Sequence, residues 1–274
     1  MRTAAASLDL VRPGSVERAL RSMADDPTLI PIAGCTDVFV GLNAGTFAGT
    51  RFVDLWPLEE LREIGIRNGA ISIGALATHA MIQQSRAVTG RIPMLGAACR
   101  EIGGIQIQNR GTLGGNVANG SPAGDTLPVL AVAEAVVVLR SSEGERRVPF
   151  TSFFTGYRKT VRRPDELIVA FELPPVTDVQ WFRKVGTRAA QAISKVVMAV
   201  VGGARPRIAV GSVGPTVIRC TRTEEALANG ATIEEASQIL EKEVQPIDDI
   251  RSTATYRRRV CGNLLRRFGA DTGR

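Results

Sequence analysis

The chain has 274 residues, 44% hydrophobic and 22% charged, ordinary values for a globular protein with room for two domains. No apolar run approaches the roughly 18 residues that span a bilayer, and the opening MRTAAASLDLVRPGSVERA lacks the apolar stretch of a secretory signal. A cytoplasmic protein without a membrane span is therefore expected. Lys plus Arg exceed Asp plus Glu by 34 to 27, but the basic residues are scattered among only two Trp and two Tyr. That spacing argues against a nucleic-acid partner and leaves the net +7 to solvated surface and a protein partner.

In chain order, Ser15 can cap a helix, SVERALRSMADD, with Val16, Ala19, Leu20 and Met23 on one face. LIPIAG reads as a buried strand from Leu29 to a turn at Gly34, and RFVDL as another strand at Arg51–Leu55, together a unit of the βαβ type. AISIGAL, Ala70 to Leu76, alternates like a strand, and Thr78 can cap the helix THAMIQQS. MLGAACREIG reads as helix and leads into a long loop, Gly103 to Asp125, rich in glycine and asparagine. Beyond it come a helix (LPVLAVAEA), a strand (AVVVLRS), a hairpin-like turn (SEGERR) and ELIVAFELPP, closed by two prolines.

From Trp181 onward the pattern changes. SKVVMAVVG and PRIAVGSV read as strands joined by a turn at Gly202–Gly203, and two or three helices follow, over TEEALANG, TIEEASQILEKEV and RSTATYRRRVCGNLLRRF. A domain boundary is expected between Val176 and Asp178. In the last helix Tyr256, Val260, Leu264 and Phe268 form an apolar stripe. Arg257, Arg258 and Arg259 read either as a solvated face or as a docking surface for an acidic partner.

Two segments carry chemistry. Glycine lets a ligand approach the backbone, and a run of free amide groups makes a cradle for phosphate oxygens. The Gly103–Asp125 stretch and the turn PIAGCTDV at Pro31–Val38 both have that composition, which suits a dinucleotide with a diphosphate and a distant adenosine. Neither is a GxGxxG or a GxxxxGK[ST] sequence, so a kinase or an ordinary NAD domain is not indicated. The single histidine, His79, is expected exposed at a helix start, which leaves no hydrolytic triad or His-rich metal site. Cys35, Cys99, Cys220 and Cys261 are far apart and form no CxxC, so a reduced chain with no metal or cluster of its own is expected.

These two loops, followed by FFTGYRKT, DELIVAFELP and FRKVGTRAAQAISKV, resemble the FAD-binding medium subunit of the molybdenum hydroxylases. That group includes xanthine dehydrogenase, carbon monoxide dehydrogenase and aldehyde oxidoreductase. The similarity runs from VRPGSVERAL to PIDDIRSTATYRRRVCGNLLRRF, and IQIQNRGTLGGNVANGSPAGD is its most specific stretch. The resemblance implies an α+β fold. A PCMH-type FAD-binding domain over 1–176, with subdomains of about 1–57 and 58–176, would precede a C-terminal domain of antiparallel sheet and helices over 177–274.

By resemblance, Pro31, Ile32, Ala33, Gly34, Cys35, Thr36, Asp37 and Val38 form the turn on the FAD diphosphate. Thr112, Gly114, Gly115 and Asn116 match a second cofactor contact, and Asp125 an acidic residue that helps hold FAD. Ile102 and Ile168, which alone would read as core, match apolar positions lining the cofactor. Lys184 matches a basic residue near the flavin, where an electron acceptor would approach. Cys35 stands where the family has a second glycine; a positive φ there would strain it by about 1 kcal/mol or more.

The function implied is electron transfer. Molybdopterin on a large subunit oxidises the substrate, two [2Fe–2S] clusters on a small subunit relay electrons, and FAD on this chain passes them to NAD+, a quinone or oxygen. No catalytic acid–base residue and no metal ligand is assigned to the chain. The alternative is a flavin-binding scaffold with no acceptor turnover of its own.

Overall fold

The computed structural model describes residues 7–273. Residues 1–6, part of the stretch read as lacking a secretory signal, and residue 274 lie outside the described residues. Strands β1 (Asp9–Val11), β2 (Ile30–Ile32) and β3 (Arg51–Asp54) form a parallel sheet in the order β1-β3-β2. Helix α1 (Val16–Asp25) links the first two strands and starts as expected, Ser15 Oγ accepting from the Arg18 amide at 3.3 Å. Its buried Val16, Ala19, Leu20 and Met23 pack with Val53, Leu55, Leu58 and Leu61. Helix α2 (Val38–Ala44) connects β2 to β3 and completes the βαβ unit.

A second, antiparallel sheet has the order β4-β5-β10-β6-β7. Its hairpin β4 (Ile64–Arg67) and β5 (Ala70–Gly74) is followed by six helices: α3 (His79–Gln84), α4 (Arg86–Arg91), α5 (Pro93–Arg100), α6 (Ile105–Arg110), α7 (Leu113–Asn119) and α8 (Leu127–Val132). Then come β6 (Val136–Ser141), β7 (Gly144–Pro149), a small hairpin of β8 (Phe154–Gly156) and β9 (Lys159–Thr160), and β10 (Leu167–Leu173), which inserts between β5 and β6.

The Gly103–Asp125 stretch is not a continuous loop but carries α6 and α7. Thr112 caps α7, its Oγ1 accepting from the Gly115 amide at 3.0 Å, and Gly120 ends it at φ 59°. The same residue types that open a loop thus also start and stop a short helix. In SEGERR only Ser142 and Glu143 turn, and β7 begins at Gly144. It is an edge strand in which only Val148 is buried, so hydropathy does not mark it.

The last sheet, order β11-β12-β13-β14, is antiparallel: β11 (Gln180–Val185), β12 (Val196–Val201), β13 (Arg207–Gly211) and β14 (Ile218–Arg219). All six residues of β12 are buried because both faces are covered. Val197, Ala199 and Val201 join the core of α5 and α8, while Val196, Met198 and Val200 face the closing helices. These are α9 (Thr221–Ala228), α10 (Ile233–Glu243), opened by a Thr232–Glu235 capping box, and α11 (Ala254–Thr272), capped by Thr253.

On α11, Val260, Leu264 and Phe268 are core, but Tyr256 is exposed, with the Lys195 ammonium 5.2 Å from its ring centre. Arg257 is not a solvated residue. It is buried, donating to Asp249 at 2.7 Å and to the Ser212 carbonyl at 3.3 Å, because the 245–252 segment folds back over the helix start. Arg258 and Arg259 remain exposed.

Candidate functional site

A cleft of about 1440 Å3 lies where the three sheets meet. It exceeds the roughly 300–1,000 Å3 of most small-molecule pockets and has room for an extended dinucleotide. All sixteen site residues named from the sequence line it: Pro31 to Val38, Ile102, Thr112, Gly114, Gly115, Asn116, Asp125, Ile168 and Lys184.

The turn after β2 is shaped by close packing. A Cβ on Gly34 would overlap the carbonyl of Arg110, so no larger residue fits without moving the backbone. The next residue, Cys35, has φ 60°, the left-handed conformation a glycine would take without strain. The amides of Gly34, Cys35, Thr36 and Asp37 find no acceptor among the described residues. Four neighbouring donors without partners, on a turn facing a cleft, form a nest for an anion. Burial pushes the Cys35 thiol up, against the pull of Arg110, so it is not a thiolate.

The second glycine-containing segment differs from expectation. The Leu113 amide donates to Ala77 at 3.0 Å, Gly114 to Ala75 at 2.9 Å, Gly115 to Thr112 Oγ1, and Asn116 to the Thr112 carbonyl at 2.9 Å. These donors are spent inside the fold, so the segment is not a second amide nest. Gly114 instead lets α7 press on Ala75, where a Cβ would come within 2.7 Å of the carbonyl oxygen. What this segment offers a ligand is side chains, notably Asn116, whose Oδ1 accepts from Thr126 at 2.6 Å.

Lys184, on β11, is not an exposed cation. Its ammonium donates to Asp125 Oδ2 at 2.6 Å and to the Glu101 carbonyl at 2.9 Å, and the two side chains are only 6% and 7% exposed. Asp125 Oδ1 is sealed from solvent without a partner, and burial pushes the carboxyl up to about 6 despite Lys184. Ser194 ties the same region together, donating to the Ala123 carbonyl at 3.1 Å and meeting Ser212 Oγ at 3.0 Å.

Some lining residues escaped the sequence reading. Tyr157 and Arg158 sit exposed at the β8–β9 turn, and Arg162 is held by the carbonyls of Arg163 and Glu166. FFTGYRKT held the signal for the first two. His79, expected exposed, is 2% exposed and lines the cleft. Its helix is covered by α5 and α6, which nothing local announces.

Comparison with known proteins places this geometry. The chain matches the FAD binding domain in molybdopterin dehydrogenase over residues 6–176 and the CO dehydrogenase flavoprotein C-terminal domain over 181–272. It belongs to the FAD-binding subunit family of the molybdopterin dehydrogenases. The xanthine dehydrogenase FAD-binding subunit of Escherichia coli O157:H7 is 29% identical over 272 residues, covering 93% of this chain and 92% of that one. The 6-hydroxypseudooxynicotine dehydrogenase complex subunit alpha of Paenarthrobacter nicotinovorans is 30% identical, covering 95% and 93%. Carbon monoxide dehydrogenase from Hydrogenophaga pseudoflava superposes with a TM-score of 0.89 at 26% identity, covering 95% of each chain.

The family's FAD fits what the cleft presents. A diphosphate needs clustered donors, which the free 34–37 amides supply, and Asn116 and Asp125 bring polar side chains to the same cleft for nucleotide hydroxyls. Among the described residues no group of three or more His, Cys, Asp or Glu side chains could hold a metal, and no helix is long and apolar enough to cross a membrane.

Proposed function

We propose that this chain is the FAD-carrying electron-transfer subunit of a cytoplasmic, heteromeric molybdenum hydroxylase. Residues 1–176 hold the cofactor and residues 177–274 close the cleft. A small subunit with [2Fe–2S] clusters delivers electrons drawn from substrate at a large molybdopterin subunit, and NAD+, a quinone or oxygen takes them away. The observation that supports this most is convergence: sixteen residues from four regions of the chain line one cleft, with a cluster of unpaired amides in its wall.

FAD, when bound, supplies the exchange between one- and two-electron transfer. The chain's own residues bind and orient. The 34–37 amides and the Thr36 hydroxyl take the diphosphate, while Asn116 and Asp125 take ribose or ribityl hydroxyls. Ile102 and Ile168 pack against the flat ring, and Lys184 holds Asp125 in place while bringing positive charge to that part of the cleft. The three relatives are named for xanthine, 6-hydroxypseudooxynicotine and carbon monoxide, yet match this chain over nearly its whole length. Substrate choice accordingly belongs to another subunit.

Titration of the purified full chain with FAD tests the binding: stoichiometric uptake with a bound flavin spectrum is expected, and a colourless protein in excess FAD overturns it. In the assembled complex, anaerobic substrate must reduce the flavin and one acceptor must reoxidise it. If no acceptor does so, the chain is a flavin scaffold. Because Lys184 is buried, acceptor access is tested at the exposed Thr187–Gln191 loop beside it.

A further inference from the structure

Given FAD as the ligand of this cleft, we propose that His79 is a further cofactor-binding residue, donating from Nε2 to the diphosphate across from the 34–37 turn. The placement comes from one glycine. The His79 amide donates to the Gly111 carbonyl at 3.0 Å, and a Cβ on Gly111 would lie 3.0 Å from His79 Cδ2 and 3.3 Å from Nε2. Gly111 also meets the turn, its nitrogen 3.2 Å from where a Gly34 Cβ would sit. Gly111 thus packs against both the imidazole edge and Gly34, the residue that opens the run of unpaired amides, and His79, Gly111 and the turn all line the cleft.

The imidazole is otherwise unexplained. Its Nδ1 is sealed from solvent without a hydrogen-bond partner, whereas Nε2, equally without a protein partner, is not among the sealed atoms. A buried polar ring with no partner costs stability unless a ligand completes it. Burial lowers the His79 pKa to about 4, so the ring carries one proton at neutral pH. Placing that proton on sealed Nδ1 would orphan an N–H, so it belongs on Nε2, leaving only a lone pair unmatched. A neutral donor aimed beside an amide nest suits an anionic oxygen.

The test uses the full chain, with calorimetric titration of FAD, ADP (diphosphate without flavin) and riboflavin (flavin without phosphate). Replacing His79 with Phe, which keeps the ring and removes the donor, is expected to weaken both FAD and ADP by roughly tenfold to hundredfold while leaving riboflavin unchanged. His79→Gln, which retains a donor, should recover part of the loss. Unchanged FAD and ADP affinity in a folded His79→Phe protein overturns the role of His79 while leaving FAD binding intact. A wild-type chain that takes no FAD defeats the functional assignment itself. Should His79→Phe fail to fold, the wild type still decides. As the only histidine, His79 gives one imidazole 15N pair, and ADP must shift Nε2 and protect its proton from exchange; an unmoved signal at saturation refutes the contact.

Discussion

Replacing Lys184 by methionine probes the buried pair with Asp125 through pH. Removing one partner of a buried ion pair commonly costs about 3–5 kcal/mol, because the other charge is left without compensation. Here the carboxyl can instead take up a proton. Its ordinary value of 3.8 is already pushed up to about 6 by burial. A carboxyl raised in the fold favours folding fully below its unfolded value and loses that contribution as pH rises through the folded one. Without the Lys184 ammonium the carboxyl climbs further and is protonated in the fold at pH 7. By proton linkage, the extra cost passing through Asp125 is on the order of 1 kcal/mol at pH 7 and close to zero at pH 5, where the wild-type carboxyl is already mostly protonated. The lost packing and the unpaired Glu101 carbonyl add a cost that pH does not alter. Urea unfolding of wild type, K184M, D125N and the double variant at pH 7 and pH 5 reads this directly. The K184M penalty should shrink at pH 5, and the D125N/K184M protein should show no such change. An equal or larger penalty at pH 5 would mean that the pair is not electrostatically coupled as the structure has it.

Gly34→Ala forces a Cβ into the Arg110 carbonyl and should cost about 1–3 kcal/mol with loss of FAD uptake, measured by unfolding and flavin titration; full FAD affinity would contradict the packing. Cys35→Gly relieves a left-handed side chain worth about 1–2 kcal/mol against a backbone entropy of roughly 0.5–1, so a small gain in thermal midpoint is expected; a fall would show that the thiol contributes more than its strain. His79 has its pKa depressed from 6.5 to about 4, so wild type should lose stability as pH falls through that window, by about 2 kcal/mol at pH 5 from this group. The His79→Phe protein, compared with wild type at pH 7 and pH 5 without FAD, should gain by that amount on acidification; an unchanged difference would place the imidazole in solvent.

Local sequence determined what local chemistry can encode. The face of α1, the Ser15, Thr78 and Thr232 starts, the alternation of β5 and the paired strands β12 and β13 follow from side-chain period and capping, which act within a few residues. The turn at Gly34–Asp37 and the positions that line the cleft were legible too, the latter only through resemblance of whole motifs. Tertiary structure decided the rest, because burial and hydrogen-bond partners come from segments distant in the chain. Ala77, Ala75 and the Thr112 hydroxyl take the amides of Leu113, Gly114 and Gly115 that made this segment look like a phosphate cradle. Helices α5 and α6 bury His79, Asp249 and Ser212 bury Arg257, and Asp125 removes Lys184 from solvent across 59 positions of chain. A glycine or a lysine carries the same local signal whether its polar groups face water or a partner; only the folded packing fixes which.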